Sequence, residues 1–157
     1  MAAGLSTVCH VKISVSADML DGIGADIADE LRRRGHEVLA HGAINPGEPD
    51  DWAHASEAAA RDVAEGRADQ AVVCCWTGTG ASIAANKVPG VRAALCGDAY
   101  TAQGARRWND ANVLALSLRT TSLPVLDEIL DSWFAAEVTD DANDLASIKH
   151  VTEMEQR

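Results

Sequence analysis

Positive charge is scarce in this chain: 13 Lys and Arg stand against 24 Asp and Glu, a net charge of −11 with a pI near 4.7. A nucleic-acid backbone or an anionic membrane surface needs clustered basic residues, so neither is expected as the main partner. No run of about 18 consecutive apolar residues occurs, and no membrane-spanning helix is expected. The amino terminus lacks the basic segment and apolar core of a secretory signal, so a cytoplasmic location is expected. Cysteine is sparse: Cys9, Cys74, Cys75 and Cys96 have none of the paired spacing of a zinc site. The histidines, at 10, 36, 41, 54 and 150, show no ligand spacing either. No metal is expected. Neighbours on a strand point to opposite faces, which makes a Cys74–Cys75 disulfide strained and reduced thiols the simpler expectation.

What is present is alternation. Apolar residues recur every second position from Val8 to Val15, a strand pattern. Ile23, Ile27 and Leu31 then recur every four, ahead of three arginines and Gly35, as in a helix with a basic last turn and a glycine stop. The same reading gives strands at 36–40, 71–75, 91–96 and 112–116. It gives helices at 52–65, from Ser82 to Lys87, at 99–107 and at 123–134, with Asp98 and Ser122 as caps. The 71–75 run is apolar throughout, as in a central parallel strand covered on both faces. Five strand–helix repeats predict an α/β fold, a doubly wound five-stranded parallel sheet of the Rossmann-like kind in a single domain. We expect that domain over residues 1–136, followed over 137–157 by an acidic tail that turns helical around Ile148 to Met154.

In such sheets, ligands bind beyond the carboxyl ends of the strands. The segment Cys75-Trp-Thr-Gly-Thr-Gly-Ala-Ser82 leaves the central strand and enters a helix, and its glycines let backbone N–H groups converge on an anion. It is neither a Walker loop nor a dinucleotide fingerprint, since no Gly-Lys-Ser follows and the third glycine is missing. A plain tight turn is the other reading. Cys75, at the strand end beside this loop, sits where thiolate is favoured, although free cysteine is also a common core residue. Asp18 is either a ligand for a sugar hydroxyl or a helix cap. Trp52, Trp76 and Trp108 fall in candidate mouth loops and Trp133 on an apolar helix face.

The run Gly78-Thr-Gly-Ala-Ser-Ile-Ala-Ala-Asn-Lys-Val-Pro-Gly-Val-Arg-Ala-Ala-Leu-Cys96, then Thr101-Ala and Asn109-Asp-Ala-Asn-Val-Leu-Ala115, resembles the ribose-5-phosphate isomerase B / galactose-6-phosphate isomerase family. The resemblance extends from about residue 8 to 135. It implies a homodimer, or a higher oligomer, with sites at the subunit interface, and aldose–ketose isomerisation through a cis-enediolate with no metal or organic cofactor. It implies Cys75 as the base with Thr77 beside it, and the N–H groups of Gly78, Thr79, Gly80, Ala81 and Ser82 as the oxyanion hole. Asp18 matches a sugar-binding aspartate, Asn109 a polar residue of the same pocket, and Arg119 an arginine that holds substrate phosphate.

Three positions depart from the family pattern. Met19 follows Asp18 where a histidine is usual. Trp108 replaces the histidine that opens the sugar ring, and an indole has no transferable proton at neutral pH. The carboxyl-terminal Gly-Gly-Arg-His-x-x-Arg is absent: no basic residue lies between Arg119 and Lys149. Lys149 offers a point charge where the family has a fork. Deprotonation chemistry is retained while ring opening and phosphate grip are lost. The expected function is an aldose–ketose isomerase for an atypical substrate, open-chain or unphosphorylated, with Trp108 and Trp52 as stacking surfaces. Two alternatives stand beside it. One is ordinary ribose-5-phosphate isomerisation with His10 or His41 as substitute acid. The other is a noncatalytic binding module or degenerate partner subunit.

Overall fold

The computed structural model describes residues 10–156. Five strands, β1 (Lys12–Ala17), β2 (Glu37–Gly42), β3 (Gln70–Cys75), β4 (Ala93–Leu95) and β5 (Val113–Ser117), form one sheet in the order β2-β1-β3-β5-β4. Every pairing is parallel. Six helices connect and follow them: α1 (Ile27–Arg33), α2 (Trp52–Ala64), α3 (Thr79–Asn86), α4 (Ala99–Asn109), α5 (Leu123–Ala135) and α6 (Ala142–Met154). From β1 the chain goes outward to β2, then crosses back to β3 on the other side. The loops after β1 and β3 therefore diverge at the reversal of strand order, where a crevice forms at the carboxyl edge.

Alternation along the strands sorts the core into two unlike layers. Ile13, Val15, Val72, Cys74, Leu114 and Leu116 face α1, α4 and α5, and pack on Ile27, Leu31, Leu126, Ile129, Leu130 and Trp133. Ala71, Val73, Cys75, Val113 and Ala115 face α2 and α3, where they meet Ala59, Ala60, Ala81 and Ala85. Bulky side chains fill the first layer and alanines the second, so α2 and α3 come close to the sheet. Trp133 is buried as its periodicity predicts, and its indole N–H donates to Gln70 Oε1 at 2.7 Å.

The elements agree with the sequence pattern in kind and differ at their ends. Val8 and Cys9, the predicted start of the first strand, lie outside the described residues. The predicted 23–34 helix is divided into a 3-10 turn, Gly22–Ala25, and α1. Glycines on both sides of Ile23 lower helix propensity there, and the Asp26 N–H closes a three-residue turn on Ile23 O. Helix α3 starts at Thr79 instead of Ser82, because Gly78 at φ 77° turns the chain directly into it. Helix α6 starts at Ala142, six residues ahead of Ile148, because Asp141 caps it by accepting from the Asn143 and Asp144 N–H groups. It packs along α4.

Candidate active site

Strand β3 ends at Cys75, whose side chain is buried on the alanine layer. Three residues on, Gly78 must adopt a left-handed backbone. A Cβ there would lie 2.5 Å from Leu95 Cδ1 and 2.9 Å from the Leu116 carbonyl carbon, so only glycine fits. The turn delivers the first N–H groups of α3 to the sulfur: Ala81 N–H donates to Cys75 Sγ at 3.4 Å. The positive end of the helix thus points at the thiol. Cys74 lies on the other face, fully buried, and burial with the neighbouring charges of Cys75 and Asp18 pushes its thiol far up. Burial likewise pushes the Cys96 thiol up to about 12. Geometry separates Cys75 from both.

The five expected oxyanion donors are not equivalent. Gly78 N–H is engaged by Cys75 O at 3.2 Å and Ser82 N–H by Gly78 O at 3.0 Å, while Ala81 N–H serves the sulfur. Thr79 and Gly80 N–H, in the first turn of α3, have no acceptor among the described residues. The Thr77 and Thr79 hydroxyls are bonded to each other at 2.8 Å. A thiol, a hydroxyl pair and two free N–H groups within one strand-to-helix turn can move a proton off carbon and receive the oxyanion that forms.

Neighbouring loops complete this edge. Asp18 follows β1, and its Oδ1 is buried without a partner in the described residues. Burial, with the charge of Asp50 added, pushes its carboxyl above the usual range. Arg119 is tied to the turn through its backbone, whose N–H donates to Trp76 O at 3.0 Å. Ser117 Oγ donates to the same carbonyl at 2.9 Å. The Arg119 guanidinium is exposed and has no carboxylate partner among the described residues. Trp52, at the start of α2, lies against Gly80, where a Cβ would stand 2.9 Å from its Cε3. Asp50 and Ser117 are additions that residue patterns did not single out.

Trp108 and Asn109 are placed elsewhere. Helix α4 runs against the strands, from Asp98 past the carboxyl end of β4 to Asn109 ahead of β5. Its 11 residues span about 16 Å, so Asn109 lies at the opposite edge from Cys75. The Trp108 indole runs back over Gly104 to an edge contact with Tyr100, ring centroids 5.9 Å apart. Both residues line a cleft of about 380 Å³ against Ile148, Val151 and Met154 of α6. The substitute acids also stand apart. His10 Nδ1 is 2.6 Å from Gly35 O at the amino edge, and both ring nitrogens of His41 face carboxylates. Lys149 faces Glu153 on its own helix at 3.7 Å. Among the described residues no group of three or more His, Cys, Asp or Glu is arranged to hold a metal ion.

Comparison with known proteins fits this geometry. Residues 21–151 match the Ribose/Galactose Isomerase family. Ribose-5-phosphate isomerase B of Escherichia coli strain K12 is 37% identical over 132 residues, 84% of this chain and 87% of the relative. A D-erythrulose-4-phosphate isomerase of Pectobacterium atrosepticum is 36% identical over 111 residues, covering 71% of this chain and 73% of its own length. The solved structure of Clostridium thermocellum ribose-5-phosphate isomerase B superposes with a TM-score of 0.83 at 36% identity, covering 92% of this chain and 97% of that one. With its switch-point crevice and its strand-to-helix turn at Cys75, this chain belongs to the Ribose/Galactose Isomerase family.

Proposed function

We propose that the chain, an aldose–ketose isomerase by family, uses Cys75 as the base on an open-chain or unphosphorylated sugar. The observation that carries this reading is the Cys75 sulfur held under the Ala81 N–H, with the Thr79 and Gly80 N–H groups free beside it. The Cys75 thiolate takes the proton from the carbon next to the carbonyl. The C–H electron pair becomes the enediolate double bond, and the carbonyl π pair moves to oxygen, where the Thr79 and Gly80 N–H groups receive it. Thr77 passes the hydroxyl proton between the two oxygens, and Cys75 returns its proton to the neighbouring carbon. The step is redox-neutral within the substrate and needs no cofactor. Asp18 accepts from a sugar hydroxyl, and Arg119 is the one cation we assign to the pocket.

Two features favour an atypical substrate. Trp108 stands where the family carries its ring-opening histidine, and neither His10 nor His41 is free at the crevice to replace it. A four-carbon chain with a blocked terminal oxygen has no ring to open, and the similarity to an erythrulose-4-phosphate isomerase supports that class. The acidic segment after Glu137 gives phosphate no fork, which supports a neutral sugar instead. Because Trp108 and Asn109 lie at the far edge of their own subunit, they reach a Cys75 site only from a second copy. We therefore propose a homodimer with composite sites. In this reading residues 1–136 form the isomerase unit, 137–157 an accessory arm, and the protein works in the cytoplasm.

The test is solvent-deuterium incorporation followed by NMR across tetrose, pentose and hexose substrates, phosphorylated and free. Exchange at the carbon next to the carbonyl with one class, lost in Cys75→Ser, supports the reading and names the class. Silence across the panel overturns it in favour of a binding module or partner subunit.

A further inference from the structure

His41, on β2, lies between two carboxylates. Its Nε2 is 2.6 Å from Asp62 Oδ2 on α2, and its Nδ1 is 2.9 Å from Glu48 Oε2 in the loop after β2. Both neighbours are already committed as acceptors. Asp62, 4% exposed, also takes the Ser14 hydroxyl from β1 at 2.8 Å and Arg67 Nε at 2.7 Å. Glu48 also takes the Asn45 amide at 2.8 Å and the Gly42 N–H at 3.3 Å. Ser16, paired in register with His41, contributes only a neutral hydroxyl. The ring thus bridges the buried Asp62 and the loop residue Glu48, one nitrogen to each. Arg67 pairs with Asp62 from the other side and with Glu65 on the outside.

The Glu48 arm leads to the candidate active site. Only two residues separate Glu48 from Asp51, which caps α2 by accepting from the Ala53 and His54 N–H groups. Asp50 is the residue whose charge acts on Asp18, and Trp52 is the ring that lies on Gly80. We propose that His41 is a positioning residue, a latch that ties the 43–51 loop to the buried Asp62 and so sets Trp52 and Asp50 against the Cys75 turn. Removal of the Glu48 arm loosens the loop. Nothing in this uses His41 as an acid toward substrate: both of its ring nitrogens are spent on the latch. The effect on turnover rests on the isomerase reading above; the latch itself does not.

The experiment is amide exchange of the full-length protein, wild type, Glu48→Ala and Glu48→Gln. The latch predicts that protection of residues 43–51 falls about tenfold in Glu48→Ala while the sheet is unchanged, and that Glu48→Gln, which keeps an acceptor for the ring, retains most of it. With the substrate found by deuterium incorporation, Glu48→Ala should raise KM with kcat held within about twofold, and Glu48→Gln should restore it. Unchanged protection of 43–51 in Glu48→Ala overturns the latch. A loosened loop with unchanged KM overturns its positioning role. A wild-type protein silent with every sugar counts against the isomerase reading, while the exchange results still decide the latch.

Discussion

The Ala81 N–H points at the Cys75 sulfur from 3.4 Å, six residues further along the chain and one turn into the next helix. Strand β3 fixes the thiol, Gly78 reverses the backbone, and α3 returns its first N–H groups to the place the thiol occupies. The proposed base and oxyanion donors thus belong to one strand-to-helix unit, and need no closing motion to meet.

Cys75→Ser should leave the fold intact and lower the isomerisation rate by about three orders of magnitude, because a hydroxyl is a far weaker base than a thiolate at neutral pH. Cys74→Ala, one residue away on the opposite face, should keep the rate within a few-fold, since that thiol is buried among apolar side chains. Deuterium incorporation at the carbon next to the carbonyl measures both. Equal losses in the two variants would remove Cys75 from its assigned role.

Gly80 has no positive φ, and the nearest atoms to an alanine methyl there are those of the Trp52 ring. Gly80→Ala should displace that ring and change the tryptophan emission. Trp52→Ala should relieve the clash, with a coupling of about 1 kcal/mol in a double-mutant cycle of denaturant unfolding. Additive effects would mean that the ring and the glycine do not touch in solution.

Asp62 makes the stability of this fold depend on pH. Burial alone would raise its carboxyl, but hydrogen bonds from His41, Arg67 and Ser14 outweigh burial and hold it below the usual range. A carboxyl lowered in the folded state adds stability above its unfolded pKa, near 4, and loses it as pH falls through the folded value. Asp62→Asn should therefore cost about 3 kcal/mol at pH 7 and progressively less below about pH 4. Thermal melts of both proteins from pH 7 down to pH 2 read this directly. A constant gap across that range would assign the loss to packing instead of charge.

Asn109 lies about 16 Å along α4 from the carboxyl edge, which yields a test of the composite site. Asn109→Ala and Cys75→Ser homodimers should each be nearly inactive. Unfolded together and refolded as an equal mixture, they should regain about a quarter of wild-type activity, because half the dimers then hold one intact site of two. No recovery would place both residues of a site on one subunit.

The strand and helix kinds were readable because period-2 and period-4 apolar spacing is set by which face meets the core, and that spacing survives in any α/β sheet. Ends were less readable. The start of α3 at Thr79 depends on Gly78 taking a left-handed conformation that a glycine permits but does not require. That Cys75 ends its strand beside the glycine turn was legible. The loss of Gly78 and Ser82 as donors was not, because it follows from hydrogen bonds that exist only once the turn has closed. Trp108 and Asn109 sit in the segment that most resembles the family, yet linear order cannot say which end of a helix faces the crevice. His41 looked available as an acid because both of its partners are distant in sequence: Glu48 follows by seven residues and Asp62 by 21.

The alanine layer under α2 and α3 limits how this enzyme can diversify. Ala59, Ala60, Ala81 and Ala85 cannot shrink to absorb a larger neighbour, which leaves Val73, Val88, Val91 and Val113 to do so. An added methyl on that face without such a loss pushes on α3 and on the Ala81 N–H it carries. The rim, at sites such as Trp52, Trp76 and the arm beyond Glu137, is less constrained. Side chains there can be exchanged while the turn at Cys75 stays fixed beneath them.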